Sequence, residues 1–277
     1  MRWVTLPSRE TVPALGQGTW HLAENPTRRA EEIAALQLGI DLGLTLIDTA
    51  EMYADGESER LVGEAIAGRR DGLFLVDKVL PHHATRAGTV QACEQSLRRL
   101  RTDRIDLYLL HWRGSVPLAE TLAGFVDLQA AGLIRYWGVS NFDLDDMLEL
   151  TRLPGGQAVT TDQILYNLVR RGPEYDLIPW CLEHGVPIMA YSPIEQGRLL
   201  SRPALVALAG RHGVTPAQIA LAWVLRGDGV IAIPKAGTPG HVRENIAALD
   251  ITLSDDDLAV LDSVFPPPRQ PQPLEVL

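Results

Sequence analysis

The chain has 277 residues, 46% of them hydrophobic and 22% charged, with a formal charge of −10 at neutral pH. That length suits one α/β barrel of about 250 residues and does not call for a second domain. The acidic balance argues against a nucleic-acid surface, although a local basic cluster can still hold an anion.

The predicted elements alternate strand and helix along the chain. A short strand over 14–20 (ALGQGTW) precedes a helix over 28–42, with Ile33, Leu36 and Ile40 as its inner stripe. Next come a strand at 44–50 and a helix at 58–68, then a strand at 73–79 and a helix at 85–100. The fourth and fifth pairs are 105–111 with 118–132, and 134–141 with 144–153. The sixth is 158–167 with 174–185, the seventh strand is 186–193, and the eighth strand, 229–235, leads into a helix through 242–250. Eight such strands, short and nearly continuous in apolar residues, predict a closed (β/α)8 TIM barrel covered on both faces, formed by residues 1–277 as a single domain.

Three pieces lie outside that count. Residues 1–14 contain two extended stretches that fit an N-terminal hairpin across the barrel bottom. Two extra helices fit 215–227 and 254–265. In the first, Thr215 serves as cap, Pro216 as first helical residue and Gln218 as back-bonding partner. In the second, Ser254 is the cap and Asp257 lies three residues on. The proline-rich tail PPPRQPQP has no predicted regular structure. Cys93 falls on the apolar stripe Val90, Cys93, Leu97, Leu100, and Cys181 has no CxxC partner, so neither a disulfide framework nor a zinc site is expected. No stretch reads as a signal peptide or reaches the roughly 20 apolar residues of a membrane span, which makes the cytoplasm the expected compartment.

Four residues carry the chemistry. Asp48, Lys78 and His111 each lie at or near the end of a predicted strand, and Tyr53 lies in the loop after one. Carboxyl ends of parallel barrel strands converge in space. Taken singly, each residue has a plain structural role: a helix cap, a snorkelling lysine, a loop aromatic, a packed histidine. Together, Asp48 supplies the counter-charge that a buried Lys78 requires, and Lys78 is expected to lower the pKa of the Tyr53 phenol. That phenol would then protonate a developing alkoxide, with His111 hydrogen-bonding the carbonyl. Such a set suits a carbonyl that receives hydride from elsewhere, so a cofactor is implied.

Barrels often hold phosphate at the loops after strands seven and eight. Here Lys235 offers a charge, Ala236 and Gly237 allow close backbone approach, and Thr238 and Pro239 open a helix that carries His241, Arg243 and Asn245. An ordinary capped helix with exposed charges is the plain alternative. Ser140, Asn141 and Gln163 could hold a carboxamide, and Tyr191 could stack on a flat ring or simply pack. GQGTWH at 16–21 begins like a dinucleotide fingerprint, but His21 replaces the third glycine and the flanking order is wrong.

GTW at 18–20, DTAEMY at 48–53, Lys78, LLHW at 109–112, GVSN at 138–141, Gln163, AYSP at 190–193, IPK at 233–235 and the pair Glu244–Asn245 together resemble an aldo-keto reductase, over residues 10 to 264. The resemblance implies Tyr53 as proton donor, Asp48 and Lys78 as its tuning pair and His111 as the group that orients the carbonyl. It implies an extended nicotinamide cofactor, usually NADPH. Ser140, Asn141 and Gln163 are then expected on its carboxamide, Tyr191 on its ring, and Lys235 with the following residues on the adenosine 2′-phosphate. Gly18, Thr19, Trp20, Ser192, Pro193, Ile194, Gly197, Leu199, Ile233, Pro234, Ala236, Gly237, His241, Glu244 and Asn245 complete the expected cofactor wall, and Trp20, His111 and Trp112 the substrate wall.

Two positions depart from the pattern. Ala236 stands where many relatives carry a hydroxyl, and His241 where many carry an arginine, which loses a fork-shaped phosphate donor and leaves NADH open as a cofactor. The loop HWRGSVPLAET and the tail look short, so an open pocket is expected. The sequence is most similar to bacterial members that reduce small aldehydes such as methylglyoxal, and a monomer is expected. Two rival readings are a cofactor-sensing regulatory subunit and a Schiff-base aldolase acting through Lys78.

Overall fold

The computed structural model describes all residues, Met1–Leu277. A hairpin comes first, with β1 (Trp3–Thr5) antiparallel to β2 (Thr11–Pro13). The barrel strands follow: β3 (Gln17–Gly18), β4 (Leu46–Asp48), β5 (Phe74–Val79), β6 (Ile105–Leu110), β7 (Ile134–Ser140), β8 (Asp162–Leu165), β9 (Ile188–Tyr191) and β10 (Val230–Ala232). All eight are parallel and lie side by side in chain order. The ring closes where the β3 segment meets the β10 segment: Gly16 N–H donates to the Ala232 carbonyl at 2.8 Å, Ala232 N–H to the Ala14 carbonyl at 2.8 Å and Gly18 N–H to the Pro234 carbonyl at 3.1 Å. Closure leaves no free sheet edge. Glu10, between the hairpin strands, accepts from Arg135 and Tyr136 at the start of β7, so the hairpin crosses the amino ends of the strands, as expected.

The helices are α1 (Arg29–Asp41), α2 (Glu57–Ala65), α3 (Arg86–Leu100), α4 (Leu118–Ala130), α5 (Leu144–Arg152), α6 (Leu177–Glu183), α7 (Pro203–His212), α8 (Pro216–Val224), α9 (Pro239–Ala247) and α10 (Asp255–Val264). Thr215 with Gln218, and Ser254 with Asp257, form the two capping boxes their spacing predicts. The strands are shorter than their apolar runs because only residues paired with a neighbouring strand join the ladder.

Two features depart from the predicted elements. Residues 201–214 carry no predicted element, yet Pro203–His212 is a helix, α7, so two helices separate β9 from β10. Its signals are present in the sequence: Pro203 in the first turn, buried Leu205, Leu208 and Ala209 at helical spacing, and Gly213 in the left-handed conformation beyond its end. The inner face of α1 is also rotated from the predicted stripe. Glu32, Ala35, Leu36 and Gly39 are buried, whereas Ile33 and Ile40 are half-buried.

The cause is Gln17. Its side-chain amide is buried and donates to the carbonyls of Leu36 (3.2 Å) and Leu44 (3.0 Å), tying β3 to the end of α1. A Cβ on Gly39 would lie 2.0 Å from the Gln17 Oε1, so only a glycine lets that helix turn approach. Gly39→Ala gains up to about 1 kcal/mol of helix propensity but forces the amide off two carbonyls, each worth about 1 kcal/mol and more once left unpaired. A net loss of about 1–2 kcal/mol in urea unfolding is the expected outcome; an unchanged or raised midpoint would show that Gln17 finds another seat.

Candidate active site

Asp48 closes β4, Lys78 sits one residue before the end of β5, and His111 immediately follows β6. Parallel register sets Asp48 beside Val76 and Lys78 beside Leu109, which brings the three side chains to one end of the barrel. Tyr53 arrives in a tight turn, Tyr53–Gly56, with Ala54 and Asp55 in left-handed conformations. Such conformations for non-glycine residues cost energy and concentrate where a site requires them. Asn141 (φ 59°) and Ser192 (φ 46°), after β7 and β9, share this feature.

The Lys78 Nζ is fully buried and donates to both Asp48 carboxylate oxygens at 2.8 Å, to the Thr49 carbonyl at 2.8 Å and to the Tyr53 hydroxyl at 3.2 Å. Gln163 Nε2 donates to the same Asp48 at 2.8 Å. The Tyr53 and His111 rings meet edge to face with centroids 5.9 Å apart, and Trp20 stacks over Tyr53 at 6.3 Å. The four residues expected together are therefore together.

The electrostatics differ from the sequence expectation at Tyr53. Burial is the largest influence on the phenol and pushes its pKa up to about 12; Lys78 pulls it down, but Asp48 partly cancels that charge. Tyr53 thus holds its proton firmly at neutral pH. Burial also opposes the charge on Lys78, yet Asp48 and Tyr53 outweigh it and the amine stays protonated. Burial raises the Asp48 carboxyl against the pull of Lys78 and Gln163. For His111, burial first and Lys78 second lower the pKa well below the usual value, so the ring is neutral. Its Nδ1 is sealed without a partner. An ammonium with four acceptors has no lone pair for Schiff-base chemistry, which weighs against the aldolase reading.

Above these groups opens a cavity of about 910 Å³, near the upper end of the usual ligand-pocket range of about 300–1,000 Å³. It runs from Asp48, Tyr53 and His111, past Ser140, Asn141, Gln163 and Tyr191, then Ser192, Ile194 and Gly197, to Lys235 and His241. Gly18, Trp20, Trp112 and Ile233 also line it. This is far more room than a small carbonyl needs, and the length, the amide-bearing middle and the cationic end fit an extended dinucleotide. The ring of Tyr191 is held in place by its hydroxyl, which donates to Asn141 Oδ1 at 2.8 Å. Asn141 Nδ2 in turn donates to the His111 carbonyl at 3.0 Å.

Some expected wall residues have no face on the cavity. Thr19 is fully buried, its hydroxyl taken by Ser58 at 2.9 Å, and Leu199 is core, so both support the wall from behind. Pro193, Pro234, Ala236, Gly237, Glu244 and Asn245 also stand outside the lining, the last five around its cationic end.

Other residues line or brace the cavity without having been singled out. The tail was expected to leave an open pocket. Instead Leu274 packs on the core and Val276 and Leu277 join the lining. Glu275 pairs with Arg170, and Arg170 also donates to Glu195 at 2.8 Å. Glu195 is buried and accepts further bonds from Asn167 (2.8 Å) and Arg198 (2.9 Å), fixing the loop after β9. No local sequence pattern marks these partners, because they meet only across the fold. Met52 and Arg113, both on the lining, lay inside quoted motifs but had no assigned role.

An eight-stranded parallel barrel with an Asp–Tyr–Lys–His group at its carboxyl end defines a recognisable class, and the sequence comparisons agree. The Aldo/keto reductase family profile matches residues 14–265, and the chain belongs to that family. It is 52% identical to the methylglyoxal reductase YeaE of Escherichia coli over 272 residues, 96% of each chain. It is 29% identical to the methylglyoxal reductase DkgB of Salmonella typhimurium, covering 91% of this chain and 94% of that one. A crystal structure of an aldo-keto reductase from Klebsiella pneumoniae in complex with NADPH shares 51% identity and superposes with a TM-score of 0.98 over 100% of this chain and 99% of that one.

Two outcomes follow from the electrostatics. Asp48→Asn leaves a buried ammonium without its counter-charge and is expected to cost about 3 kcal/mol or more in chemical denaturation; an unchanged midpoint would mean that the pair does not hold the site. The phenol is protonated below about 12 and His111 is already neutral. The kcat/KM for aldehyde reduction should therefore stay flat from about pH 6 to about pH 10 and fall only as the phenol loses its proton at higher pH. A break near 6.5 would show His111 titrating instead.

Proposed function

We propose that this protein is an NADPH-dependent carbonyl reductase that converts small aldehydes and ketones, methylglyoxal-like ketoaldehydes among them, to alcohols. The observation that carries the reading is the Tyr53 hydroxyl held 3.2 Å from a charged, fully buried Lys78 at the floor of the long cavity. The substrate class follows from the similarity to methylglyoxal reductases, and the cofactor from the cavity and the NADPH-bound relative.

In this reading Ser140, Asn141 and Gln163, all on the cavity lining, hold the carboxamide, Tyr191 the ring face, the Ser192–Gly197 loop the pyrophosphate, and Lys235 the 2′-phosphate. When bound, the reduced nicotinamide supplies a hydride to the carbonyl carbon. Neutral His111 donates a hydrogen bond to the carbonyl oxygen and sets its orientation. Tyr53 gives its proton to that oxygen as charge develops; an alkoxide is a much stronger base than a phenolate, so a phenol with a raised pKa remains a competent donor. Lys78 stabilises the phenolate left behind, and Asp48 keeps Lys78 charged through the cycle. Trp20 and Trp112 flank the approach and exclude water from it.

Every group in this scheme comes from one chain, so the reading takes the protein as one domain acting as a monomer. We place it in the cytoplasm, a reducing compartment compatible with two buried, unpaired cysteines. Tyr53→Phe is the direct test. NADPH titration followed by fluorescence should be unchanged, while turnover of an aldehyde panel drops by about 10²–10⁴-fold. Turnover near the parent level would remove Tyr53 as the acid.

A further inference from the structure

We infer that Arg28 is a second cation of the 2′-phosphate site and helps set the preference for NADPH over NADH. The inference rests on the cofactor reading above and adds a residue to it. At the cationic end of the cavity, the lining residues are Lys235 and His241, and neither supplies a guanidinium fork. The fold brings a guanidinium to the same loop from a distant element. Arg28 lies just before α1, yet its Nη2 reaches the Gly237 carbonyl at 3.4 Å. A Cβ on Gly237 would meet that nitrogen at 3.3 Å, which shows how closely the arginine lies against the loop.

The contacts of Arg28 are loose. Its one carboxylate partner, Glu31, is 3.5 Å away, and both side chains are more than 40% exposed (43% and 49%). Neighbouring Arg29, by contrast, is committed to Glu64 at 2.9 Å. Arg28 therefore keeps most of its five donors available, and although it stands outside the cavity lining it contacts the loop two residues beyond Lys235. The loop itself is donor-rich: Gly237, Thr238 and Gly240 give their backbone N–H groups to no other group of the chain. Thr238 caps α9 through the His241 N–H at 3.2 Å, which aims the helix start at this same spot. A phosphate monoester at this place would meet a point charge on one side and a planar fork on the other, and the fork can bind two of its oxygens at once.

A cofactor without the 2′-phosphate gains nothing from Arg28, so the residue discriminates rather than merely attracts. Parallel fluorescence titrations with NADPH and NADH test this on the whole protein, with no turnover needed. Arg28→Met should weaken NADPH by about tenfold, the loss expected for one charged hydrogen-bonded contact, and change NADH by less than about twofold. Arg28→Lys should recover part of the loss. Competition with 2′,5′-ADP against ADP should show the same selectivity. Equal weakening of both nucleotides would reveal a loop staple, and an unchanged NADPH-to-NADH ratio would remove Arg28 from the site; either overturns the inference. Lys235→Met separates the two layers of the argument. If Lys235→Met loses the preference and Arg28→Met keeps it, the cofactor reading stands and only the inference falls. If the parent protein binds neither nucleotide, both fall.

Discussion

Everything in the site is arranged around one ammonium ion buried in the barrel mouth. Lys78 cannot be hydrated there, so its charge must be met by protein oxygens. Asp48 provides two of them and the Thr49 carbonyl a third, which leaves the Tyr53 hydroxyl as the fourth neighbour. The phenol is thereby fixed in position by a group whose own position is fixed by its charge. The barrel explains why this works. Parallel register sets Asp48, at the end of one strand, beside Val76 on the next, so that Lys78 two residues further on reaches its carboxylate, and closure of the ring holds both strands in place.

The same ion also decides the protonation states around it. A buried phenol resists ionisation, a nearby carboxylate adds to that resistance, and a single ammonium only moderates the result. The site therefore stores a proton rather than exposing a ready phenolate. A neutral imidazole completes the logic, because a second cation beside Lys78 would be strongly disfavoured.

Most of this was legible in the sequence, for physical reasons. The strand runs, the capping boxes at Thr215 and Ser254 and the four polar residues at strand ends are local patterns, and local patterns survive folding. The direction of the Tyr53 shift was not legible, because residue types reveal which charges are present but not how completely water is excluded. Helix α7 is marked only by Pro203, its leucines and Gly213, a short run that the strand–helix alternation does not call for. The α1 face was misjudged for a different reason. A buried glutamine amide required small residues against it, and a hydrophobic count favours isoleucines instead. The roles of the tail and of Glu195 depend on pairings across more than twenty residues, which no window of sequence displays.

Arg170 has a wider meaning. It holds Glu195, which braces the loop after β9, and Glu275 in a tail whose Val276 and Leu277 line the same cavity. Two walls of the cavity thus hang from one hinge pin. A lineage that alters the tail at Glu275 also alters the charge balance around Glu195, so the two walls cannot drift independently in this scaffold.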